Sequence, residues 1–237
     1  MNLIIKSLLD FILPPRCPLC LRPTVLPDPH TLCPSCLSGV TLIGPPICIK
    51  CGTPFATQAE ESHLCGRCLV GMSNYDTARA LLTFSSSTRT AIHAFKYENK
   101  TYLSKTLLGL MERSPLGLNF HQYDVLVPVP LHRNRLRARG YNQSLLLCRE
   151  ISQRYGVPVD ERLLSRIRDS APQIELIGVE REQNVKGVFS LRKDPAEKTI
   201  LLIDDVLTTG ATVNECARVL RRGGAKRIDV FTIARAV

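Results

Sequence analysis

Hydrophobic residues recur with two different spacings along residues 75–237, and their alternation predicts strands that are followed by helices. Short apolar and β-branched runs predict strands over Ala80–Phe84, Asp124–Val129, Thr199–Ile203 and Arg227–Ile233. Helical spacing predicts helices over Thr88–Tyr97, Tyr102–Arg113, Asn142–Tyr155 and Thr212–Arg222. This alternation predicts an α/β fold whose doubly wound, mostly parallel sheet carries helices on both faces.

Residues 1–13 follow a separate amphipathic pattern that ends at Pro14-Pro15. Its apolar positions repeat at helical spacing, but Lys6, Ser7 and Asp10 interrupt them, and no small-residue cleavage site follows. The sequence contains no stretch close to the roughly 18 apolar residues that crossing a bilayer requires. We therefore predict a short docking helix over residues 1–13, rather than a signal peptide or anchor, and a cytoplasmic protein with no membrane span.

Eight of the ten cysteines lie in residues 14–74, a segment with too few apolar residues to fold by burial alone. They form four Cys-x-x-Cys pairs: Cys17/Cys20, Cys33/Cys36, Cys48/Cys51 and Cys65/Cys68. Each pair directs two thiolates towards one centre, and two pairs complete a tetrahedral zinc site. The spacing predicts two structural Zn²⁺ sites, with metal binding supplying much of the folding free energy of this segment.

The order of the pairs permits sequential ribbons over residues 17–36 and 48–68 or a cross-braced arrangement, and both are open at this point. Disulfides are disfavoured in a chain without a secretion signal, and a thioredoxin-type motif requires one pair on a βα unit. Four thiolates leave no open position on zinc, so catalysis at the metal is not expected. His30 and His63 are expected at the surface because eight cysteines already saturate two ions.

The formal net charge is +10, yet residues 1–75 carry only five basic groups against four acidic ones. The excess positive charge therefore lies in the α/β part of the chain. Such charge favours partners rich in phosphate, such as nucleotides or nucleic acid, without identifying one of them.

An acidic pair and a Thr- and Gly-rich turn follow the strand predicted over Thr199–Ile203. The order is Asp204-Asp205-Val-Leu-Thr208-Thr209-Gly210-Ala211-Thr212. Two ionised carboxylates suit the two vicinal hydroxyls of a ribose, and the turn offers backbone N–H groups at the positive end of a helix. The sequence has neither Gly-x-x-x-x-Gly-Lys nor Gly-x-Gly-x-x-Gly. We therefore predict that this segment binds a phosphorylated ribose diphosphate.

Four arginines in seven residues follow the strand predicted over Asp124–Val129: Arg133, Arg135, Arg137 and Arg139. Ligands of parallel sheets bind outside the carboxyl ends of the strands, so a basic loop at this place suits a diphosphate. A solvated loop that only increases solubility is the alternative interpretation.

Together these motifs resemble the ComF family, the late-competence ComFC and GntX-type phosphoribosyltransferase-like proteins. The resemblance covers essentially the whole chain. It rests on Cys17 to Cys68, Ala91-Ile-His-Ala-Phe-Lys96-Tyr97, Val127-Pro-Val-Pro-Leu-His132, Arg139-Gly-Tyr-Asn-Gln143, Pro172-Gln173, Arg181, Asn184-Val-Lys-Gly187-Val-Phe189 and residues 200–212. It implies a type I phosphoribosyltransferase-like domain over residues 75–237, preceded by a double zinc-ribbon domain over residues 14–74.

The resemblance also implies a ligand, phosphoribosyl pyrophosphate (PRPP), with Mg²⁺ bound chiefly to its diphosphate and ribose hydroxyls. Asp204 and Asp205 would hold the ribose hydroxyls and act as the catalytic residues. The 5′-phosphate would lie against Thr208, Thr209, Gly210, Ala211 and Thr212. Lys96, Arg137 and Arg139 would face the pyrophosphate, and residues 168–187 would form a mobile loop that closes over the site.

Two functions follow from the resemblance, and both are open at this point. The first is a phosphoribosyltransferase that acts in DNA uptake, natural transformation or the use of DNA-derived nucleotides. The second is a non-catalytic adaptor that binds single-stranded DNA among other competence proteins. Tyr97, Tyr102 and Tyr141 are the nearest aromatic residues on which unpaired bases could stack.

Overall fold

The computed structural model describes residues 14–24, 28, 30–55, 61–71, 73–169 and 185–236. The helix predicted over residues 1–13 and most of the closing loop predicted over residues 168–187 lie outside these described residues. Within them, no helix combines the length and the apolar character that crossing a membrane requires.

Four parallel strands form the sheet at the centre of the α/β part. They are β1 (Thr77–Thr83), β2 (Val125–Pro128), β5 (Thr199–Leu207) and β6 (Arg227–Arg235), while β3 (Leu164–Arg166) and β4 (Phe189–Leu191) form a separate antiparallel pair. The sheet order is β1-β6-β5-β2, with Thr199 opposite Arg227 and Leu207 opposite Arg235 in the two central strands. The predicted parallel sheet is confirmed.

Helices lie on both faces of this sheet and also in the Cys-rich segment. Over the described residues they are α1 (Pro34–Ser38), α2 (Gly66–Val70), α3 (Ser86–Tyr97), α4 (Leu103–Gly109), α5 (Arg133–Arg139), α6 (Gln143–Tyr155) and α7 (Ala211–Arg222), and a 3₁₀ turn over Leu110–Arg113 extends α4. Side chains alternate along β5, so Leu201 and Ile203 pack in one core with α3, α4 and α6. Ile200 and Leu202 pack on the other face in a core with α7.

The arginine segment predicted as a loop forms helix α5. Arginine is a good helix former, and both ends of the helix are capped. The ring Nδ1 of His132 accepts from the Asn134 amide at the start, and Gly140 ends the helix in the left-handed conformation with φ of 81°. Because the segment is helical, arginines that are four residues apart lie on the same face.

Strand β5 continues through Asp204 and Asp205 to Leu207, beyond its predicted end at Ile203. The extension follows from pairing with β6, which accompanies β5 as far as Arg235. The acidic pair therefore lies on a hydrogen-bonded strand and not on a flexible loop.

The Cys-rich segment packs along β1, which is the edge strand of the sheet. The amide of Ile43 donates to the carbonyl of Leu81 (2.9 Å), and the amide of Ala78 donates to the carbonyl of Lys50 (2.7 Å). Gly52 has a φ of 70°, and a Cβ at this position would lie 2.5 Å from the Ala78 carbonyl oxygen. These contacts cover the edge of the sheet and hold the Cys-rich segment against it.

Candidate functional site

A cavity of about 850 Å³ opens at the carboxyl ends of the parallel strands, where ligands of such sheets bind. Its walls come from the end of β5, the start of α7, helix α5, strand β3 and one face of α3. The lining residues with polar or charged side chains, or in the turn before α7, are Arg89, His93, Lys96, Tyr97, Asn99, Arg135, Arg139, Arg166, Asp204, Asp205, Thr208, Gly210, Ala211 and Thr212.

Asp204 is held by two hydrogen bonds at the end of β5. Its Oδ1 accepts from the Asp205 amide (2.9 Å) and from the hydroxyl of Ser144 in the first turn of α6 (3.1 Å). Burial and the negative charge of Asp205 raise the pKa of Asp204 to about 7. Simultaneous ionisation of both carboxylates is therefore unfavourable in the absence of a ligand.

Lys96 supplies the positive charge beside this pair. Its Nζ lies 2.7 Å from Oδ1 of Asp205, whose side chain is only 10% exposed. Burial acts to lower the pKa of Lys96, but the charges of Asp205 and Asp204 outweigh it and hold the pKa above its ordinary value. The lysine is therefore protonated at neutral pH and orients Asp205.

The turn between β5 and α7 joins the acidic end of the strand to the start of a helix. Gly210 adopts a φ of 83°, in the left-handed region, and precedes a helix of 12 residues. The Ala211 amide donates to the Thr209 hydroxyl (3.3 Å), the Asn214 amide donates to the Gly210 carbonyl (2.8 Å), and Gly210, Ala211 and Thr212 line the cavity. The positive end of α7 therefore faces the cavity.

Helix α5 presents two arginines to the cavity. Arg135 and Arg139 are four residues apart and share one helix face, whereas Arg137 is exposed and does not line the cavity. The Arg139 guanidinium donates to Oε1 of the buried Gln143 (2.7 Å) and lies 4.9 Å from the ring centroid of Tyr97. These contacts fix a cation opposite the acidic pair.

Arg166 on β3 is a further cation that sequence reasoning missed. It lines the cavity, is only 9% exposed, and lies over the ring of Phe189 with 5.5 Å to the centroid. Burial and the nearby charge of Arg135 lower the pKa of Arg166 from its ordinary value. The negative charges of Asp169 and Asp204 act in the opposite direction, so Arg166 adds a buried guanidinium to a wall of the cavity that carries both signs of charge.

The eight cysteines form two clusters in sequential order. One comprises Cys17, Cys20, Cys33 and Cys36, and the other Cys48, Cys51, Cys65 and Cys68; within each, all four sulfurs lie within 4.8 Å of one another. Zn–S bonds of about 2.3 Å place tetrahedral sulfurs about 3.8 Å apart. The Sγ separations of 3.8 Å for Cys20–Cys33 and 3.7 Å for Cys51–Cys65 fit this geometry. The clusters therefore suit structural Zn²⁺, and His30 and His63 belong to neither.

The comparisons with known proteins cover both parts of the chain. The Double zinc ribbon domain family matches residues 8–69, and the Phosphoribosyl transferase domain family matches residues 142–236. Competence protein F of Haemophilus influenzae is 31% identical, over 86% of this chain and 90% of its own length. DNA utilization protein YhgH of Escherichia coli K12 is 32% identical, over 94% of this chain and 98% of its own length. The chain belongs to the ComF family.

A more distant ComF relative, Competence protein ComFC of Streptococcus pneumoniae, is 28% identical over 88% of this chain and 89% of its own length. Among solved structures, the glutamine PRPP amidotransferase of Bacillus subtilis is similar at 20% identity. That likeness covers 54% of this chain and 26% of the other, and its TM-score of 0.36 is too low to support an argument. The predicted family and fold, a phosphoribosyltransferase-like sheet with a double zinc ribbon before it, are confirmed by the family matches and the two clusters.

In this ComF chain the cavity brings together most of the residues predicted to bind PRPP. Lys96, Arg139, Asp204, Asp205, Thr208, Gly210, Ala211 and Thr212 line it. Arg137 and Thr209 do not, and the Thr209 carbonyl instead accepts from Nη2 of Arg67 (2.9 Å). The PRPP-binding roles of all ten residues stay predictions. The domain limits 14–74 and 75–237 also stay predictions.

Proposed function

We propose that this ComF protein binds PRPP in the cavity at the end of the sheet and transfers its phosphoribosyl group to an acceptor. The observation that carries the proposal is the position of an acidic pair, a phosphate-binding loop and three arginines around one cavity. These groups match, in order, the ribose hydroxyls, the 5′-phosphate and the diphosphate of one molecule.

The ribose and its 5′-phosphate fit the wall formed by β5 and α7. Asp204 and Asp205 are acceptors for the two ribose hydroxyls, and the amides after Gly210 are donors for the phosphate. A hydroxyl that donates to Asp204 favours its charged form, so ligand binding is expected to lower the raised pKa of this group.

The diphosphate fits the opposite wall. Arg135, Arg139 and Arg166 line the cavity, and Lys96 pairs with Asp205 at 2.7 Å. Guanidinium groups bind phosphate oxygens through two parallel N–H donors. Mg²⁺ would be held chiefly by the diphosphate and by the ribose hydroxyls that Asp204 and Asp205 accept from, and it would neutralise part of the diphosphate charge.

Transfer through this site requires no protein nucleophile. The bond between C1′ and the pyrophosphate oxygen breaks with both electrons leaving on the oxygen, and the acceptor forms the new bond to C1′. Fixed cations on α5 and β3 stabilise the departing charge, while the carboxylates beside the ribose stabilise the oxocarbenium character of the ring. The acceptor fits the remaining wall beside Phe84, Ile92 and His93, along one face of α3.

The biological part of the proposal is a role in DNA uptake, transformation or the use of DNA-derived nucleotides. The names of the relatives, Competence protein F and DNA utilization protein YhgH, support it. The ten described cysteines form no disulfide and eight of them lie in the two metal-type clusters, which suits the reducing cytoplasm.

Isothermal titration with PRPP and Mg²⁺ tests the ligand. The zinc-loaded protein should bind, and Asp205→Ala should lose most of the heat, while Asp160→Ala provides a control carboxylate that pairs with Lys193 outside the cavity. Equal heats for all three proteins would remove the proposed site. A pyrophosphate-release assay with a panel of bases, amines and DNA ends then identifies the acceptor.

Single-stranded DNA binding is the second candidate function, and the exposed Tyr97 favours it. The residue is 57% exposed and the guanidinium of Arg139 lies over its ring, which is the kind of surface on which an unpaired base packs. The affinity should fall steeply between about 50 and 200 mM salt and should fall further in Tyr97→Ala. Binding that is insensitive to salt contradicts this function.

A further inference from the structure

The second ribbon contacts the phosphate-binding loop directly. Arg67 lies on α2, between the cluster residues Cys65 and Cys68, and its Nη2 donates to the carbonyl oxygen of Thr209 at 2.9 Å. This carbonyl is on the side of the loop that does not line the cavity. The guanidinium therefore holds the loop from behind while the loop amides face the ligand site.

Helix α2 cannot hold this position by burial. It has five residues, none of them buried, and Leu69 and Val70 are 70% and 90% exposed. The sulfurs of Cys65 and Cys68 lie in the cluster with those of Cys48 and Cys51, and the Cys65 amide donates to Sγ of Cys48 (3.4 Å). A zinc ion bound by these four sulfurs would therefore help to hold Arg67 in place.

One further contact joins the same ribbon to the start of the loop, and another joins the end of the loop to the segment that follows the ribbon. At the start, Arg235 lies opposite Leu207 in the sheet, is only 4% exposed, and donates to the carbonyl of Cys51 (2.7 Å). After the loop, Oδ1 of Asn214 accepts from the backbone amide of Asn74 (2.7 Å) and from its side chain (3.1 Å). The second ribbon therefore supports the loop at its beginning and middle, and the segment after the ribbon supports its end.

The contacts of the first ribbon lead elsewhere. The Gly39 carbonyl accepts from the hydroxyl of Ser85, which caps α3, and the Pro18 carbonyl accepts from the hydroxyl of Tyr102. The first cluster therefore offers a matched control, because it has the same ligand chemistry without the contact to the loop that Arg67 provides.

We propose that the second zinc ribbon positions the phosphate-binding loop, with Arg67 as the positioning residue, so that zinc and the phosphoribosyl ligand bind with positive coupling. The proposal rests on the proposed function for the identity of the ligand. A loop already held in its binding conformation loses less conformational entropy when the phosphate binds. By reciprocity, the bound phosphate also slows the loss of zinc from the second cluster.

Ribose 5-phosphate, titrated into the full zinc-loaded chain, tests the first half of the coupling. Arg67→Ala should bind about five- to tenfold more weakly than the wild type, as expected when one solvent-exposed hydrogen bond that holds the loop is lost. Arg67→Lys should lie between the two, since it keeps a cationic donor. Arg22→Ala, an exposed arginine of the first ribbon, should bind like the wild type.

Zinc release to a chromogenic chelator tests the reciprocal half. The Cys20→Ser substitution weakens zinc binding at the first cluster. Zinc that is released slowly from this variant therefore comes from the second cluster. Ribose 5-phosphate should slow this release in the Cys20→Ser protein but not when Arg67→Ala is added. The proposal is overturned if Arg67→Ala binds ribose 5-phosphate as tightly as the wild type and if the ligand slows zinc release equally with and without Arg67.

Amide hydrogen exchange separates this inference from the proposed function. Without any ligand, Arg67→Ala should exchange faster over residues 207–212, while residues 143–155 of α6 stay unchanged. If the wild type binds no ribose 5-phosphate, the proposed function fails and the exchange data alone decide the positioning role. Unchanged exchange over residues 207–212 overturns it.

Discussion

Replacing Asp204 by asparagine should stabilise the free protein while it weakens ligand binding. The variant keeps an oxygen that accepts from Ser144 and the Asp205 amide, but it removes one of two adjacent charges. Burial and Asp205 raise the pKa of Asp204 from 3.8 to about 7 in the folded protein. The folded state therefore binds the proton more tightly than the unfolded state, and this group lowers stability as the pH rises from about 4 to about 7.

The size of the effect follows from the same shift. One pKa unit corresponds to about 1.4 kcal/mol, so about three units set an upper limit of about 4 kcal/mol at pH 8. Partial contact with solvent and relaxation of the site reduce the expected gain to about 2 kcal/mol. About two thirds of it is already present at pH 6, so the gain should be about 0.7 kcal/mol larger at pH 8 than at pH 6.

Urea unfolding of the zinc-loaded chain at pH 6 and pH 8, with PRPP titration alongside, measures both effects. Asp160→Asn is the control: partial burial acts to raise its pKa, but Lys193 holds the pKa of Asp160 below its ordinary value. Asp160→Asn removes the ion pair between Asp160 and Lys193. This change should lower stability by less than about 1 kcal/mol and leave PRPP binding intact. If Asp204→Asn instead destabilises the protein equally at both pH values, the charge conflict in the acidic pair is not real.

Three further outcomes are expected. Arg139→Ala should weaken PRPP binding by about tenfold or more, whereas Arg137→Ala on the same helix should change it less than about twofold; equal losses in titration contradict the assigned geometry. Lys96→Met should raise the pKa of Asp204 further, because it removes the nearest positive charge, and carboxyl NMR titration should show the midpoint moving to higher pH. Metal analysis should find two zinc ions per chain and about one in Cys20→Ser, and a strong chelator should lower the midpoint of thermal unfolding. A chain that keeps the same midpoint without zinc excludes a structural role for the metal.

Local sequence order was enough to predict the acidic pair and its loop. Asp204 and Asp205, the turn and helix α7 are consecutive, so the strand and helix patterns on either side already place them at one end of the sheet. Lys96 is more than one hundred residues away, and only the family resemblance associated it with this segment. Its contact with Asp205 is a tertiary one that no periodicity in the sequence encodes.

The sequence did not predict Arg166 as a residue of the site. It lies on a strand of three residues whose partner begins 23 positions later, so neither strand has enough length to produce a periodic signal. The sequence did not show that Arg139 lines the cavity and Arg137 does not, because the segment was predicted to be a loop. Only helical spacing places Arg135 and Arg139 on the same face. The pairing of the cysteines likewise required coordinates, since both arrangements satisfy the same spacing.

A crystal structure of the zinc-loaded chain with PRPP and Mg²⁺ would show whether the cavity binds this ligand in the proposed orientation. The 5′-phosphate should lie against the amides that follow Gly210, and the ribose hydroxyls should contact Asp204 and Asp205. The diphosphate should lie between Arg135, Arg139 and Arg166. Density for PRPP at another surface, or an empty cavity at a concentration where titration shows binding, contradicts it.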